Sequence, residues 1–182
     1  MVTMTVLPRG HDWTVADLDD LPDDGLRYEL VDGTLLVSAA PSKLHQRMLG
    51  NLYIRLREAC PEDLEVFLAP TDYQPTSLRS IQPDLLVVGR DDPGTKAVTT
   101  PLRLAVEIIS PSSRTVDAVL KRALYQQSGV ANYWLVDPEA PAITAWTLSD
   151  GAYDEPVIVT GQQTLSATEP FPVAVTPAAL LR

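Results

Sequence analysis

Apolar residues recur along the chain with two periods, one helical and one of every second residue. The helical period predicts amphipathic helices, and the alternating period predicts strands with one covered face. The runs 84–88 and 102–109 are apolar at nearly every position, which is typical of strands covered on both faces. Helices are expected at 13–21, 41–59 and 114–128. Strands are expected at 28–31, 34–37, 65–69, 84–88, 102–109, 132–136, 143–147 and 153–159.

The order of these elements predicts the fold class. Asp32-Gly33 between two apolar runs is typical of a two-residue hairpin turn. The hairpin is followed by a helix, strands, a second long helix and further strands, which favours an α/β (α+β) sandwich. We expect a central mixed β-sheet flanked by helices, with an N-terminal β-hairpin and a C-terminal antiparallel extension. The 182 residues suit a single domain, 1–182.

Composition narrows the classes of function. An apolar fraction of 45% excludes a disordered chain. The one cysteine, Cys60, excludes an internal disulfide and a cysteine-based metal site, and it favours a reducing, cytoplasmic location. No segment is long enough to cross a bilayer, so no membrane partner is expected. The net charge of −10 is concentrated in residues 1–39 and 123–182, so it bears on solubility and does not decide the partner.

Two carboxylates interrupt the most apolar strands. Glu107 lies inside the run 104–109, where an unpaired carboxylate is costly, so we expect it to be paired with an arginine, protonated or bound to a metal. Asp84 begins the other apolar strand and, taken alone, is best interpreted as a simple strand-start residue or a turn cap. If the two lie close together, their repulsion calls for a divalent cation or a shared proton. Oxygen ligands with few histidines favour Mg²⁺ or Mn²⁺ over zinc.

The second long helix has a polar stripe and an apolar side. Leu120 and Leu124 mark the side that is expected to be buried. The simplest interpretation of the polar stripe is a solvated face with a surface pair between Asp117 and Lys121. The helical rise, however, puts Lys121 about 9 Å along the axis, level with Glu107 in the preceding strand. The polar stripe consists of Arg114, Asp117, Lys121 and Tyr125.

Three polar residues near or on the first long helix are further candidates. Glu29 interrupts a half-buried strand of the hairpin and fits either a metal site or the solvent side of an edge hairpin. His45 and Arg47 lie in the most basic stretch of the chain. That stretch fits either a phosphate-contacting face or an ordinary solvated one.

Several of these residues lie in motifs that resemble a known nuclease superfamily. Gln82-Pro83-Asp84, followed by Glu107 in an apolar strand, resembles the PD-(D/E)XK nucleases, which have the restriction-endonuclease-like fold. More closely, the motifs from residue 28 to residue 138 are similar to the Uma-type endonuclease family. They include YELVDG at 28–33, PDLLVV at 83–88, VEIISPSSR at 106–114 and YWLVDP at 133–138. The resemblance covers about residues 12–147.

One position departs from the superfamily pattern. Its lysine lies two residues after the acidic residue, where this chain has Ile109. The family resemblance implies that the lysine has moved to the following helix, which gives Lys121. Glu29 matches the acidic position near the N-terminus of the family.

The resemblance implies a magnesium-dependent (or manganese-dependent) DNA endonuclease. Asp84 and Glu107 would hold the metal with the help of Glu29, and Lys121 would stabilise the transition state or the attacking water. Such enzymes often act as dimers, so a homodimer is expected as well. Nucleic-acid contacts are expected from His45, Arg47, Arg114 and Tyr125.

Two other functions fit parts of the sequence. Ile109 and a pI of about 4.5 fit a nuclease-fold module that has lost its chemistry and binds nucleic acid or protein. Paired carboxylates also fit a metal-free hydrolase such as a glycosidase. Sugar sites usually contain aromatic platforms, however, and aromatic residues make up only 6% of this chain.

Overall fold

The computed structural model shows a mixed α and β fold. It describes residues 5–7, 12–22, 24–38, 41–109 and 116–182. The strands are β1 (Thr5–Leu7), β2 (Arg27–Val31), β3 (Thr34–Ser38), β4 (Leu64–Leu68), β5 (Tyr73–Thr76), β6 (Arg79–Ile81), β7 (Leu85–Gly89), β8 (Leu104–Ile108), β9 (Asn132–Asp137), β10 (Ala142–Ser149), β11 (Ala152–Tyr153), β12 (Val157–Thr160), β13 (Leu165–Ala167) and β14 (Val173–Val175). The helices are α1 (Val15–Leu18), α2 (Lys43–Ala59), a π-helical segment (Val116–Lys121), α3 (Arg122–Gln127) and a 3₁₀ helix (Pro177–Leu181).

The main sheet is mixed. Its strands follow the order β11-β10-β9-β8-β7-β4, and β12 pairs with β10. Strands β8 and β9 are parallel, whereas the other neighbours are antiparallel. Parallel neighbours require a crossover connection, and here the chain passes through the π-helical segment and α3 between them.

A second sheet carries the N-terminal hairpin in the order β1-β3-β2-β6-β5. The β2–β3 turn consists of Asp32 and Gly33, with φ angles of 46° and 77°. Two consecutive left-handed residues are what a type I′ hairpin turn requires, and this explains the Asp-Gly pair. Because β2 lies between β3 and β6, the residues of β2 belong to the interior of the sheet.

Both faces of the main sheet are covered, as the continuous apolar runs predicted. Leu85 of β7 packs in the same cluster as Met48 and Leu52 of α2. The next residue, Leu86, packs in a second cluster with Leu124 and Tyr125 of α3. Since successive side chains of a strand point to opposite faces, α2 and α3 lie on opposite faces of this sheet.

The second long helix differs from its prediction. Its first part, residues 116–121, is π-helical, and residues 114–115 lie outside the described residues. A π-helix bonds residue i to i+5, so it shifts which side chains face the sheet. Leu124 is buried as expected, but the prediction for Leu120 is wrong, because its side chain is 38% exposed. The inward positions belong instead to Lys121 and Tyr125.

Several strands were not expected from the sequence. Strands β5 and β6 have four and three residues, and β13 and β14 have three each, which is too short for a clear period. The single run expected at 153–159 is instead divided between β11 and β12. None of the helices in the described part of the chain has the length and apolar character of a membrane span.

The end of α3 provides a stability test. Gly129 follows this helix with a φ angle of 70°, a conformation in which a Cβ costs roughly 1–2 kcal/mol. Gly50 lies within α2, and an added Cβ would meet no atom within 4 Å at either glycine. We therefore expect Gly129→Ala to lower the free energy of unfolding by about 1 kcal/mol and Gly50→Ala to raise it by about 0.5 kcal/mol. Urea unfolding monitored by circular dichroism measures both, and equal effects of the same sign would contradict the assignment.

Candidate active site

Three carboxylates from three places in the chain lie in one buried cluster. Glu29 is on β2, Asp84 immediately precedes β7, and Glu107 is on β8. Their residues are 1%, 4% and 2% exposed. We call these three residues the carboxylate cluster. The cluster joins the second sheet to the main sheet, because Glu29 comes from one and Glu107 from the other.

Two cationic side chains connect the members of the carboxylate cluster. Lys121 places its Nζ 3.0 Å from Oε1 of Glu29 and 3.0 Å from Oε1 of Glu107. Arg27 places Nη1 3.1 Å from Oδ1 of Asp84 and Nη2 3.2 Å from Oε1 of Glu29. The charges therefore alternate in sign through the cluster, which is how a protein interior tolerates several ionised groups.

Glu107 is held by the second long helix. Alternation along β8 puts Glu107 on the same face as Ala105, the face covered by α3. The hydroxyl of Tyr125, which is fully buried, donates to Oε1 of Glu107 at 2.6 Å, and Lys121 donates to the same oxygen. Burial, together with the negative charge of Glu107, raises the pKa of Tyr125 well above its ordinary value, so the phenol stays protonated and remains a donor.

Asp84 is held by the backbone of β8 and by α2. The amide of Ile108 donates to Oδ2 of Asp84 at 2.8 Å, and Nε2 of His45 lies 3.0 Å from the same oxygen. Ser42 caps α2 by accepting a hydrogen bond from the backbone amide of His45, which places the imidazole at the start of the helix. Burial alone would raise the pKa of Asp84, but the contacts with His45 and Arg27 lower it to about 2.

Glu29 is ionised for similar reasons. Burial opposes ionisation, but the charges of Lys121 and Arg27 and the backbone amide of Gln82, which donates at 2.9 Å, lower the pKa of Glu29 below its ordinary value. The same three carboxylates raise the pKa of Arg27 against the effect of its own burial. Glu29 and Asp84 are therefore charged at neutral pH.

The three carboxylates are of the chemical type that binds a divalent metal, but each of them is already paired with a cation of the protein. Carboxylate oxygens are the ligands that Mg²⁺ and Mn²⁺ prefer. Within the described residues, however, no group of three histidine, cysteine, aspartate or glutamate side chains is arranged to hold a metal ion. Each of the three carboxylates contacts a protein cation instead. A metal would therefore have to replace one of these contacts.

The family of the chain follows from a comparison with protein-family models. Residues 15–180 match the family described as "Uma2: Putative restriction endonuclease". The chain belongs to the Uma2 family. This confirms the resemblance found in the sequence and extends it beyond residue 147.

A solved structure has the same fold. A protein described as "a putative nuclease belonging to DUF820", from Anabaena variabilis ATCC 29413, superposes with a TM-score of 0.73. The match covers 93% of the Uma2 chain and 97% of that chain at 15% sequence identity. It confirms the expected fold class, a mixed sheet flanked by helices in a nuclease-type fold. No match was found among curated proteins.

The structure brings together six of the sequence-predicted residues of this Uma2 protein. They are Glu29, His45, Asp84, Glu107, Lys121 and Tyr125, and contacts of 2.6–3.2 Å link them, with Arg27 joining Asp84 to Glu29. Two alternatives were wrong. Glu29 is not on the solvent side of an edge hairpin, and Lys121, which is 2% exposed, is not part of a surface pair. The catalytic and metal-binding roles of these residues stay predictions.

The residues expected to contact nucleic acid are distributed differently. Arg47 is exposed on α2. His45 is 8% exposed and Tyr125 is fully buried, so neither lies on an open face as the sequence had indicated. The hydrogen bonds of both side chains to Asp84 and Glu107 explain their burial. Arg114 lies outside the described residues.

Arg27 was missed by the sequence analysis. It lies two residues before Glu29 in β2, so both side chains point to the same face of the strand. That alternation was the available signal: an arginine and a glutamate on one face of a strand that is otherwise apolar toward its end. Only the distance to Asp84, which is 57 residues away in sequence, shows that Arg27 belongs to the site.

Acid unfolding tests the ionisation of Asp84. A carboxylate whose pKa is lowered to about 2 in the folded chain stabilises the fold above its ordinary pKa of 3.8, and this contribution is lost as the pH falls toward 2. We expect Asp84→Asn to cost about 2 kcal/mol of unfolding free energy at pH 6, and this difference from wild type should shrink toward pH 2.

Urea titrations of wild type and Asp84→Asn at pH 6, 4, 3 and 2 measure this difference. Asp63→Asn, at an exposed position, is the matched control and should differ little from wild type at any pH. A cost for Asp84→Asn that is constant over the whole pH range would contradict the assignment.

Proposed function

We propose that this Uma2 protein is a divalent-metal-dependent DNA endonuclease that hydrolyses phosphodiester bonds. Asp84 and Glu107 would hold Mg²⁺ or Mn²⁺, with Glu29 assisting. The observation that carries the proposal is the burial of three carboxylates in one cluster, with Lys121 3.0 Å from Glu107. Buried charges are costly and are usually retained for a function. Membership of the Uma2 family supports nuclease chemistry as that function.

The residues in and around the carboxylate cluster have different proposed roles. A bound divalent ion would lower the pKa of a water molecule and stabilise negative charge on the scissile phosphate. Lys121, whose ammonium already lies beside Glu107, would add positive charge next to the phosphate or orient the attacking water. Tyr125 and His45 would position Glu107 and Asp84 through their hydrogen bonds, acting through the carboxylates and not on the substrate.

The substrate side of the proposal rests on the start of α2. Lys43 and Arg47 are exposed in the first turns of this helix, and His45 of the same segment contacts Asp84. Exposed basic side chains on the helix that contacts Asp84 are suited to bind DNA phosphates. Arg114 is proposed as a further nucleic-acid contact. The homodimer and the cytoplasmic location expected from the sequence stay predictions.

A second candidate function is a nuclease-fold module that binds nucleic acid or protein without cutting. It is favoured by the pairing of each carboxylate with a protein cation and by Ile109 at the lysine position of the superfamily. Such a module would bind its partner equally well after metal removal. The family match gives no support to the glycosidase alternative.

Substitution of the two principal ligands tests the endonuclease. We expect Asp84→Asn and Glu107→Gln each to lower Mg²⁺- or Mn²⁺-dependent cleavage by about 100-fold or more, because each removes a charge that would hold the metal. Cleavage of supercoiled plasmid, linear duplex and single-stranded DNA measures the effect, with Asp63→Asn as the control. Full cleavage by both variants would overturn the ligand assignment. Chelator-insensitive DNA binding without cleavage in wild type would favour the non-cutting module.

The role of Tyr125 is testable with a matched pair of variants. Tyr125→Phe removes the 2.6 Å hydrogen bond to Glu107 but keeps the ring in the core, so we expect kcat to fall by about tenfold. Tyr153→Phe removes a comparable bond to the carbonyl of Val130, outside the cluster, and should leave cleavage unchanged. Equal rates for the two variants would exclude a positioning role for the Tyr125 hydroxyl.

A further inference from the structure

The two cations that contact the carboxylate cluster, Arg27 and Lys121, differ in how far their side chains are exposed to solvent. The side chain of Lys121 is 2% exposed and lies between Glu29 and Glu107. The side chain of Arg27 is 24% exposed, so part of it already lies at the surface. Of the two cations, Arg27 is therefore the better placed to leave the cluster, because its side chain lies partly at the surface.

The bonding of Arg27 is also incomplete. Its two terminal nitrogens donate to Asp84 and Glu29, but its buried Nε has no hydrogen-bond partner among the described residues. A buried donor without a partner weakens the preference of the side chain for this position. Withdrawal of Arg27 toward solvent would hydrate that nitrogen.

Arg27 contacts the oxygen of Asp84 that receives no other hydrogen bond among the described residues. Oδ2 of Asp84 already receives the amide of Ile108 and the imidazole of His45. Oδ1 is the oxygen that contacts Arg27, at 3.1 Å. A divalent ion bound to Asp84 through Oδ1 would lie beside the guanidinium, and the repulsion of the two positive charges would separate them. Metal and Arg27 therefore exclude each other at this oxygen.

We propose that Arg27 is an internal competitor of the divalent metal: it pairs with Asp84 and Glu29 in the metal-free protein and withdraws toward solvent when a metal binds Asp84. This inference rests on the proposed function, because it takes Asp84 as a metal ligand. Arg27 would then be a positioning residue that keeps the carboxylates together before the metal arrives. It would also set the metal concentration at which the enzyme becomes active.

Metal binding without nucleic acid tests this proposal directly. We expect Arg27→Gln to bind Mn²⁺ about tenfold more tightly than wild type, because a competing cation is removed. Isothermal calorimetry or the paramagnetic resonance signal of free Mn²⁺ gives the affinity. Arg79→Gln is the matched control, since Arg79 pairs with Asp32 outside the cluster, and the substitution changes the net charge equally. The control should bind Mn²⁺ as wild type does.

Two further measurements keep the test independent of the folding of one variant. Arg27→Lys retains a competing charge, so its affinity for Mn²⁺ should stay near that of wild type. In the wild-type protein, nitrogen NMR of the arginine side chains should show freer rotation of the Arg27 guanidinium once Mg²⁺ is added. An Arg27→Gln affinity equal to or below that of wild type, or an Arg27 signal that Mg²⁺ leaves unchanged, would overturn the proposal.

Failure of this inference is distinguishable from failure of the proposed function. If Arg27→Gln does not tighten Mn²⁺ binding while Asp84→Asn abolishes metal-dependent cleavage, Arg27 does not compete and the endonuclease assignment stands. If Asp84→Asn and Glu107→Gln cut DNA as wild type does, the metal site lies elsewhere and both proposals are wrong.

Discussion

The burial of three carboxylates in one place is the constraint on which the arrangement of this protein depends. Glu29, Asp84 and Glu107 would repel one another in a medium of low dielectric constant if nothing lay between them. Arg27 and Lys121 lie between these carboxylates, so that each carboxylate contacts a cationic side chain. To make these contacts, the second sheet, the main sheet and the second long helix must meet at one place.

The same ion pairs affect both the stability of the fold and the availability of the carboxylate oxygens for a ligand. Pairing with the protein's own cations offsets the cost of burying the carboxylates, but their oxygens are then engaged. The contacts of His45 and Tyr125 with Asp84 and Glu107 orient the carboxylates. Sites that hold like charges ready for a ligand are commonly less stable than the surrounding core. In this protein Arg27 would be the cation that a bound ligand displaces, because it is the more exposed of the two cations.

The parts of the fold that the sequence predicted well have strong local signals. The Asp32-Gly33 turn, the Ser42 cap of α2 and the continuous apolar strands β7 and β8 each depend on residues close in the chain. Predictions failed where a long-range effect changed a local pattern. The π-helical segment shifted the phase of the second long helix and exposed Leu120, which a regular helical period had placed in the core.

The sequence by itself determined the family, the central elements and the identity of the carboxylates, because charged residues inside apolar strands are visible without a structure. Its helical rise also put Lys121 level with Glu107. Only the tertiary structure decided that Arg27 reaches Asp84 across 57 residues and that His45 and Tyr125 face inward to the carboxylates. The physical reason is that a buried charge pairs with whichever opposite charge lies close to it in space. That proximity depends on how the two sheets pack together, and the spacing of residues along the chain does not predict it.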